Sequence, residues 1–362
     1  VDVSGVVNNG PLSIALFNNN NIFTEGFNLV GNPYPSAIDW NAAGWTKTYI
    51  DNAVYYFQAS TTDSYGGTYS SYIDGVSTDP GVATNIIPSM QGFFVHVSDG
   101  TFPVAGTLGL DNSVRINNQA HAFLKSAEAT DRLLISATAS FTDDTNSSDP
   151  TVICFINGSQ TEFDSGFDAL KLINTDMLVA NFYSVLAGGA RLSINSLPDQ
   201  TDTALIVPMG LRTFRDGEVS FKIKDVENPP PGLKVYFRDK LTGANANMLL
   251  NKDYRVSLPA GEYNDRFYFA FLKSITGIND PEASSVIFTA YASAGIIKAT
   301  VNTLAGKYGV ITVYDLNGRP LYVKKVYETG FLEFDPGIRQ GIYIISFVTG
   351  NYGSSIKLAL GF

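Results

Sequence analysis

Cysteine is almost absent. The 362-residue chain holds one, Cys154, so no intrachain disulfide and no cysteine-based zinc cluster can form. Cys154 lies in the apolar run Thr151-Val152-Ile153-Cys154-Phe155-Ile156, where a thiol acts as a small hydrophobe. Histidine is nearly as scarce, with only His96 and His121, which starves nucleophilic triads and histidine-rich metal sites. Charge is sparse too, at 16% of residues against about 25% in ordinary domains. No Lys/Arg-rich run occurs and the net charge is −10, which removes the basic face that nucleic-acid phosphates require. No uninterrupted apolar run reaches the roughly 18 residues of a bilayer-spanning helix. Val1-Asp2-Val3-Ser4 is neither basic nor apolar enough to read as a signal peptide. Gly-x-Ser-x-Gly and phosphate-cradling glycine loops are missing as well.

What is abundant is aromatic side chain: 24 Phe, 19 Tyr and 2 Trp. Many rings with few charges argue against a disordered chain. The periodicity is two nearly throughout, as in Leu133–Ala139, Val219–Lys224, Lys234–Arg238 and Arg266–Phe271. Turn pairs punctuate these runs: Asp99-Gly100, Asn157-Gly158, Asp216-Gly217 and Asn317-Gly318. No window supports a long amphipathic helix; Phe167–Lys171 predicts at most a short turn. The expected fold is all-β, built from tandem antiparallel β-sandwich or jelly-roll modules. Composition shifts near Gly109–Ser113, and a polar, Gly- and Pro-containing stretch runs from Lys273 to Glu282. These seams predict three parts: an aromatic-rich domain at 1–112, a β-sandwich at 113–274 and an immunoglobulin-like domain at 275–362.

The last part contains Val310–Arg319 with Tyr314-Asp315 and Gly318-Arg319, then Phe334-Asp335-Pro336, then Gly341-Ile342-Tyr343, and a terminal strand led by Lys357. That order resembles the C-terminal sorting domain, type A, of the type IX (Por) secretion system of Bacteroidetes. Its marks here are Tyr314, Asp315, Gly318, Arg319, Gly341, Tyr343 and Lys357; the ending Gly361-Phe362 departs from the basic or aliphatic finish common among relatives. The segments Gly26–Trp40, with Asn32-Pro33-Tyr34-Pro35, and Ile87–Val95 resemble stretches of large Bacteroidetes surface proteins. Ser113–Arg115, Asp131–Leu133, Phe163-Asp164, Phe167–Lys171 and Asp265–Phe267 follow in the order of the module that often precedes such sorting domains. The resemblance implies a secreted or outer-membrane surface-attached protein whose last domain engages the sorting machinery and is removed near 273–282.

Candidate sites are few. Trp45, Tyr65, Tyr69 and Tyr72 stand among Ser, Thr, Gly and Asn, a setting suited to sugar rings or extended peptides. The competing expectation is that alternation over Ala53–Phe57 buries rings as core. Asp143, Asp144, Asp149, Asp164 and Asp168 supply hard oxygens suited to a structural calcium, without EF-hand spacing. Among possible carboxylate pairs for glycoside hydrolysis, Asp39, Glu162 and Asp164 are the least poor, and Asp39 fits better as a turn cap. Arg115, Arg132 and Arg266 are expected to pair with Asp131 or Asp265 or to lie on solvated faces. The functional expectation is a non-catalytic adhesin or glycan- or peptide-binding module, with glycans or host or matrix proteins as partners. The alternatives are an ancillary region of a larger secreted glycoside hydrolase or peptidase, and a structural spacer.

Overall fold

The computed structural model describes residues 5–61, 63–116, 132–144, 147–198, 205–250, 253–273, 288–293, 295–301, 308–327, 330–349 and 352–360. These residues are all-β, as the period-two alternation requires, and no α-helix occurs among them. One 3₁₀ turn, Asn112–Val114, is capped by Asp111, whose carboxylate accepts from the Ser113 N–H.

Ten strands come first: β1 (Leu12–Asn18), β2 (Phe27–Gly31), β3 (Ile38–Asp39), β4 (Trp45–Thr48), β5 (Val54–Ala59), β6 (Gly67–Ile73), β7 (Val76–Ser77), β8 (Ile86–Ile87), β9 (Gly92–His96) and β10 (Val104–Leu110). Eleven follow: β11 (Leu134–Phe141), β12 (Ser148–Phe155), β13 (Ala169–Leu170), β14 (Asn181–Val185), β15 (Arg191–Leu197), β16 (Leu205–Thr213), β17 (Gly217–Glu227), β18 (Leu233–Asp239), β19 (Asn245–Asn247), β20 (Tyr254–Leu258) and β21 (Gly261–Lys273). The last seven are β22 (Phe288–Ser293), β23 (Ile296–Val301), β24 (Gly309–Tyr314), β25 (Pro320–Val326), β26 (Gly330–Phe334), β27 (Gly341–Thr349) and β28 (Tyr352–Leu360).

The chain divides into two compact units: Val1–Tyr236 with Asn247–Lys273, and Phe237–Ala246 with Ser274–Phe362. In the first unit, sheets ordered β1-β10-β4 and β2-β9-β5-β6-β7 enclose Ile38, Trp40, Val54, Tyr56, Phe93 and Leu108. A larger sheet runs β18-β21-β16-β14-β15-β12-β11-β17-β20. Its named pairings are antiparallel except β12 with β15, where Val152 meets Ile194 in parallel. Alternation at the start of β5 serves two cores. Val54 and Tyr56 enter the one just described, while Ala53 and Tyr55 enter another with Val152, Cys154, Ala169 and Ile194. Both faces of the first half of that strand are therefore buried, and the five-stranded sheet is packed against the large one. Phe167–Lys171 contributes a turn and the short β13, paired to β15.

The second unit is a seven-stranded sandwich. Sheets ordered β22-β23-β26 and β25-β24-β27-β28 close on Ile297, Val301, Ile311, Val313, Ile345 and Phe347, the packing expected of an immunoglobulin-like module. Arg238, in the stretch Phe237–Ala246, donates from Nη1 to Thr289 Oγ1 at 2.6 Å, which joins that stretch to β22. Of the stretch read as a linker, 274–282 lies outside the described residues.

Candidate functional site: an apolar cleft between two strand edges

In the first unit, β1 and β2 are terminal strands of neighbouring sheets, so among the described residues each has one edge without a strand partner. They meet at one end only. The Asn28 side chain accepts from the Phe17 N–H at 3.5 Å and donates to the Phe17 carbonyl at 3.1 Å, in place of a backbone partner. Beyond this plug opens a cleft of about 580 Å³. Leu12, Ser13 and Ile14 line one wall, and Leu29, Val30 and Gly31 the other. Successive side chains of a strand point to opposite faces, so three consecutive lining residues mean that the strand presents its edge. Phe17 turns its N–H and carbonyl toward β2; in an antiparallel ladder Ser13 and Ala15, at even steps, turn theirs the same way. Leu108, Leu110, Phe93 and Trp45 form the floor, and Met90 stands at the rim, 82% exposed. Ile14 and Leu29 are 52% and 65% exposed, and no charged residue lines the cleft. The arrangement offers backbone hydrogen-bonding groups beside apolar side chains.

Trp45 is the aromatic candidate that falls on the cleft. Its Nε1 donates to the Asp39 carbonyl at 2.8 Å and its ring packs edge-on against Trp40. The other three belong to β6 or the turn before it, in a different sheet. Tyr65 is 93% exposed; Tyr69 packs between Phe57 and Phe94; Tyr72 is buried, its hydroxyl accepting from Asn41 Nδ2 and the Gly75 N–H. The four therefore do not form one surface. The cleft residues Leu12, Ile14, Leu29 and Met90 carried no sequence signal of their own, because strand alternation does not say which edges stay unpaired.

The five aspartates are dispersed as well. Asp143 is exposed and forms a bidentate pair with Arg215, which holds its carboxyl below the usual range. The Asp144 N–H closes a turn onto the Phe141 carbonyl. Asp149 is buried against Lys171. Asp164 caps the Gly166 N–H, and Asp168 accepts from the N–H groups of Ser196 and Asp164. Among the described residues, no three His, Cys, Asp or Glu side chains converge as a metal shell. Asp168 is pushed up to about 7 by burial, its amide donors opposing the shift.

The remaining candidates have structural partners. Burial raises Cys154 to about 11, leaving it protonated at neutral pH. Asp39 accepts from the Asn41 N–H and from Asn85 Nδ2, the turn-capping role. Arg132 pairs with Asp74; the expected partner Asp131 lies outside the described residues. Arg115 donates to Ser36 Oγ and lies over the Tyr34 ring, and Arg266 lies over Phe267. His96 and Asp51, which the sequence did not single out as a pair, form a buried contact at 2.6 Å. Lys47 sits 3.7 Å above Trp40 and donates to Asn52 Oδ1; burial lowers it to about 8.

The sorting-type motif also resolves into local physics. Asp315 Oδ1 accepts from the N–H groups of Asn317 and Arg319, and Gly318 takes φ +81° in the β24–β25 turn. The Tyr343 hydroxyl donates to the Arg339 carbonyl at 2.7 Å, and a Cβ on Gly341 would lie 3.2 Å from that hydroxyl. Lys357 is exposed on β28, opposite Ile344.

Fold and site together define an all-β, multi-sheet protein whose described surface offers an apolar cleft between unpaired strand edges. The chain belongs to the family described as a domain of unknown function, DUF8693, which it matches over residues 1–271. No curated protein matches it.

Proposed function

We propose that this chain is a non-catalytic, secreted or surface-attached binding module, and that the cleft between β1 and β2 takes an extended peptide with apolar side chains. The observation that carries the reading is the pair of strand edges facing one apolar cleft. An incoming strand satisfies the free backbone groups of Ser13 and Ala15, which supplies affinity, while Leu12, Ile14, Leu29 and Met90 select its side chains. The absence of charge from the lining favours a neutral segment. The second unit serves as the export and sorting domain; this part rests on the Tyr314–Arg319 and Gly341–Tyr343 resemblance.

A panel of extended peptides, apolar at alternate positions, tests the cleft by fluorescence anisotropy. Ile14→Lys and Leu29→Lys, both at exposed positions, are expected to weaken binding at least tenfold, the order of one lost anchor. Ala15→Pro removes only the outward N–H and is expected to abolish binding with the β10 ladder intact. Equal binding by all three variants would remove the cleft from consideration. Carbohydrate contact is the reading that the exposed Tyr65 favours, and binding on a glycan array lost with Tyr65→Ala would support it instead.

A further inference from the structure

The first unit buries an ion pair where apolar core is expected. Lys171 is 3% exposed, Asp149 1% and Asn174 0%. Lys171 Nζ lies 2.7 Å from Asp149 Oδ1 and 2.6 Å from Oδ2. Asn174 Nδ2 donates to Oδ1 at 2.8 Å, and the Phe182 N–H donates to Oδ2 at 2.7 Å. Four donor contacts thus fill the lone-pair directions of one carboxylate. Asn174 is itself held, its Oδ1 accepting from the Tyr69 N–H at 2.8 Å and its N–H donating to Asn181 Oδ1 at 2.6 Å. The geometry is fixed from several strands at once.

Withdrawing both ions from water is costly, and such pairs are weak sources of stability. A route that leaves neutral products is correspondingly favoured in these surroundings. Contact with both oxygens places Nζ about 3 Å from Cγ in the carboxylate plane, a short side-chain rotation from the face on which attack occurs. Of the two independent donors, Asn174 Nδ2 sits on Oδ1, the oxygen that gains charge if Cγ becomes tetrahedral, and the Phe182 N–H sits on Oδ2.

We propose that Lys171 and Asp149 condense into an intramolecular amide, making this a self-modification site. A proton passes from the Lys171 ammonium to Asp149 Oδ2, giving an amine and a carboxylic acid. The amine lone pair attacks Cγ, forming the Nζ–Cγ bond, while Oδ1 takes up negative charge facing Asn174 Nδ2. A second proton leaves Nζ for the Oδ2 hydroxyl, the Cγ–Oδ2 bond breaks, and Oδ2 departs as water. Ammonium plus carboxylate becomes amide plus water, with no oxidant, reductant or co-reactant. The bond ties β12 to the segment after β13 across 22 residues of sequence, a covalent staple in a chain that has no disulfide. It is independent of what the cleft binds.

Intact-mass spectrometry of the full, denatured chain decides the matter without any variant. The expected mass lies below the sequence mass by one water. A tryptic digest then contains one branched peptide joining the segments around 149 and 171, with no cleavage after Lys171. Lys171→Arg returns the chain to its full sequence mass. A wild-type chain at full mass, with Lys171 open to amine-reactive label after denaturation, would overturn the proposal. Loss of one ammonia would overturn it too, because that result places the bond on Asn174.

Discussion

Asp168 illustrates how one buried side chain sets a pH response. Its carboxyl is 1% exposed and pushed up to about 7, whereas in the unfolded chain it returns to the ordinary range near 4. A raised folded-state value means that the folded form prefers the proton. The contribution is fully present below the unfolded value and is lost as pH rises through about 7. Urea unfolding of the first unit is therefore expected to weaken by on the order of 3 kcal/mol between pH 4 and pH 8. Asp168→Asn flattens that slope, at a cost at low pH because an amide nitrogen faces one of the two N–H donors now held by Ser196 and Asp164, a cost that shrinks toward pH 8 where the wild type carries the buried charge. An unchanged slope in the variant would assign the response elsewhere. Tyr343 gives a second test at this scale. Its hydroxyl is fixed to the Arg339 carbonyl, so Tyr343→Phe is expected to cost about 1 kcal/mol in the second unit by chemical denaturation.

At the scale of the element, the same local device occurs in both units. Gly341-Ile342-Tyr343 opens β27, and Gly261-Glu262-Tyr263 opens β21. In each, the tyrosine hydroxyl donates to the carbonyl four residues upstream, Arg339 or Pro259, and the ring lies beside the glycine two residues earlier. A methyl at Gly341 presses on the hydroxyl, so Gly341→Ala is expected to loosen the start of β27, read as faster amide exchange at Ile342 and Tyr343. Strands of this kind are legible in a sequence because alternation, a turn pair and a small residue under a ring are all local. The β24–β25 turn follows from Asp315, Asn317 and Gly318 alone, since Asn317-Gly318 favours positive φ. Which strands end a sheet is not local. The unpaired edges of β1 and β2 depend on β10 and β9, far along the chain, and so the cleft left no trace in the pattern of either strand. Nor does sequence bring Asp149 to Lys171: their meeting needs β12 and β13 to share β15 as a neighbour.

Across the whole molecule, the rings that report folding are unevenly placed. Both tryptophans, Trp40 and Trp45, lie in the first unit, Trp40 within its core, while the second unit is built around Phe, Ile and Val and has none. Tryptophan emission thus follows one unit, whereas far-ultraviolet dichroism follows the strands of both. Each unit has a core of its own, the condition for separate cooperative transitions. Denaturation followed by the two signals is expected to give non-coincident curves. Tyr343→Phe shifts the dichroism of the second unit and leaves the tryptophan midpoint in place. Coincident curves, or a tryptophan midpoint that moves with Tyr343→Phe, would show that the units unfold as one body. That outcome would also weigh against a removable sorting domain, because cleavage after export requires the first unit to hold its fold once residues beyond 273–282 are gone. On the proposed sorting role, protein recovered from the cell surface is expected to end within that stretch, by intact mass, and still to show the tryptophan transition of the full chain.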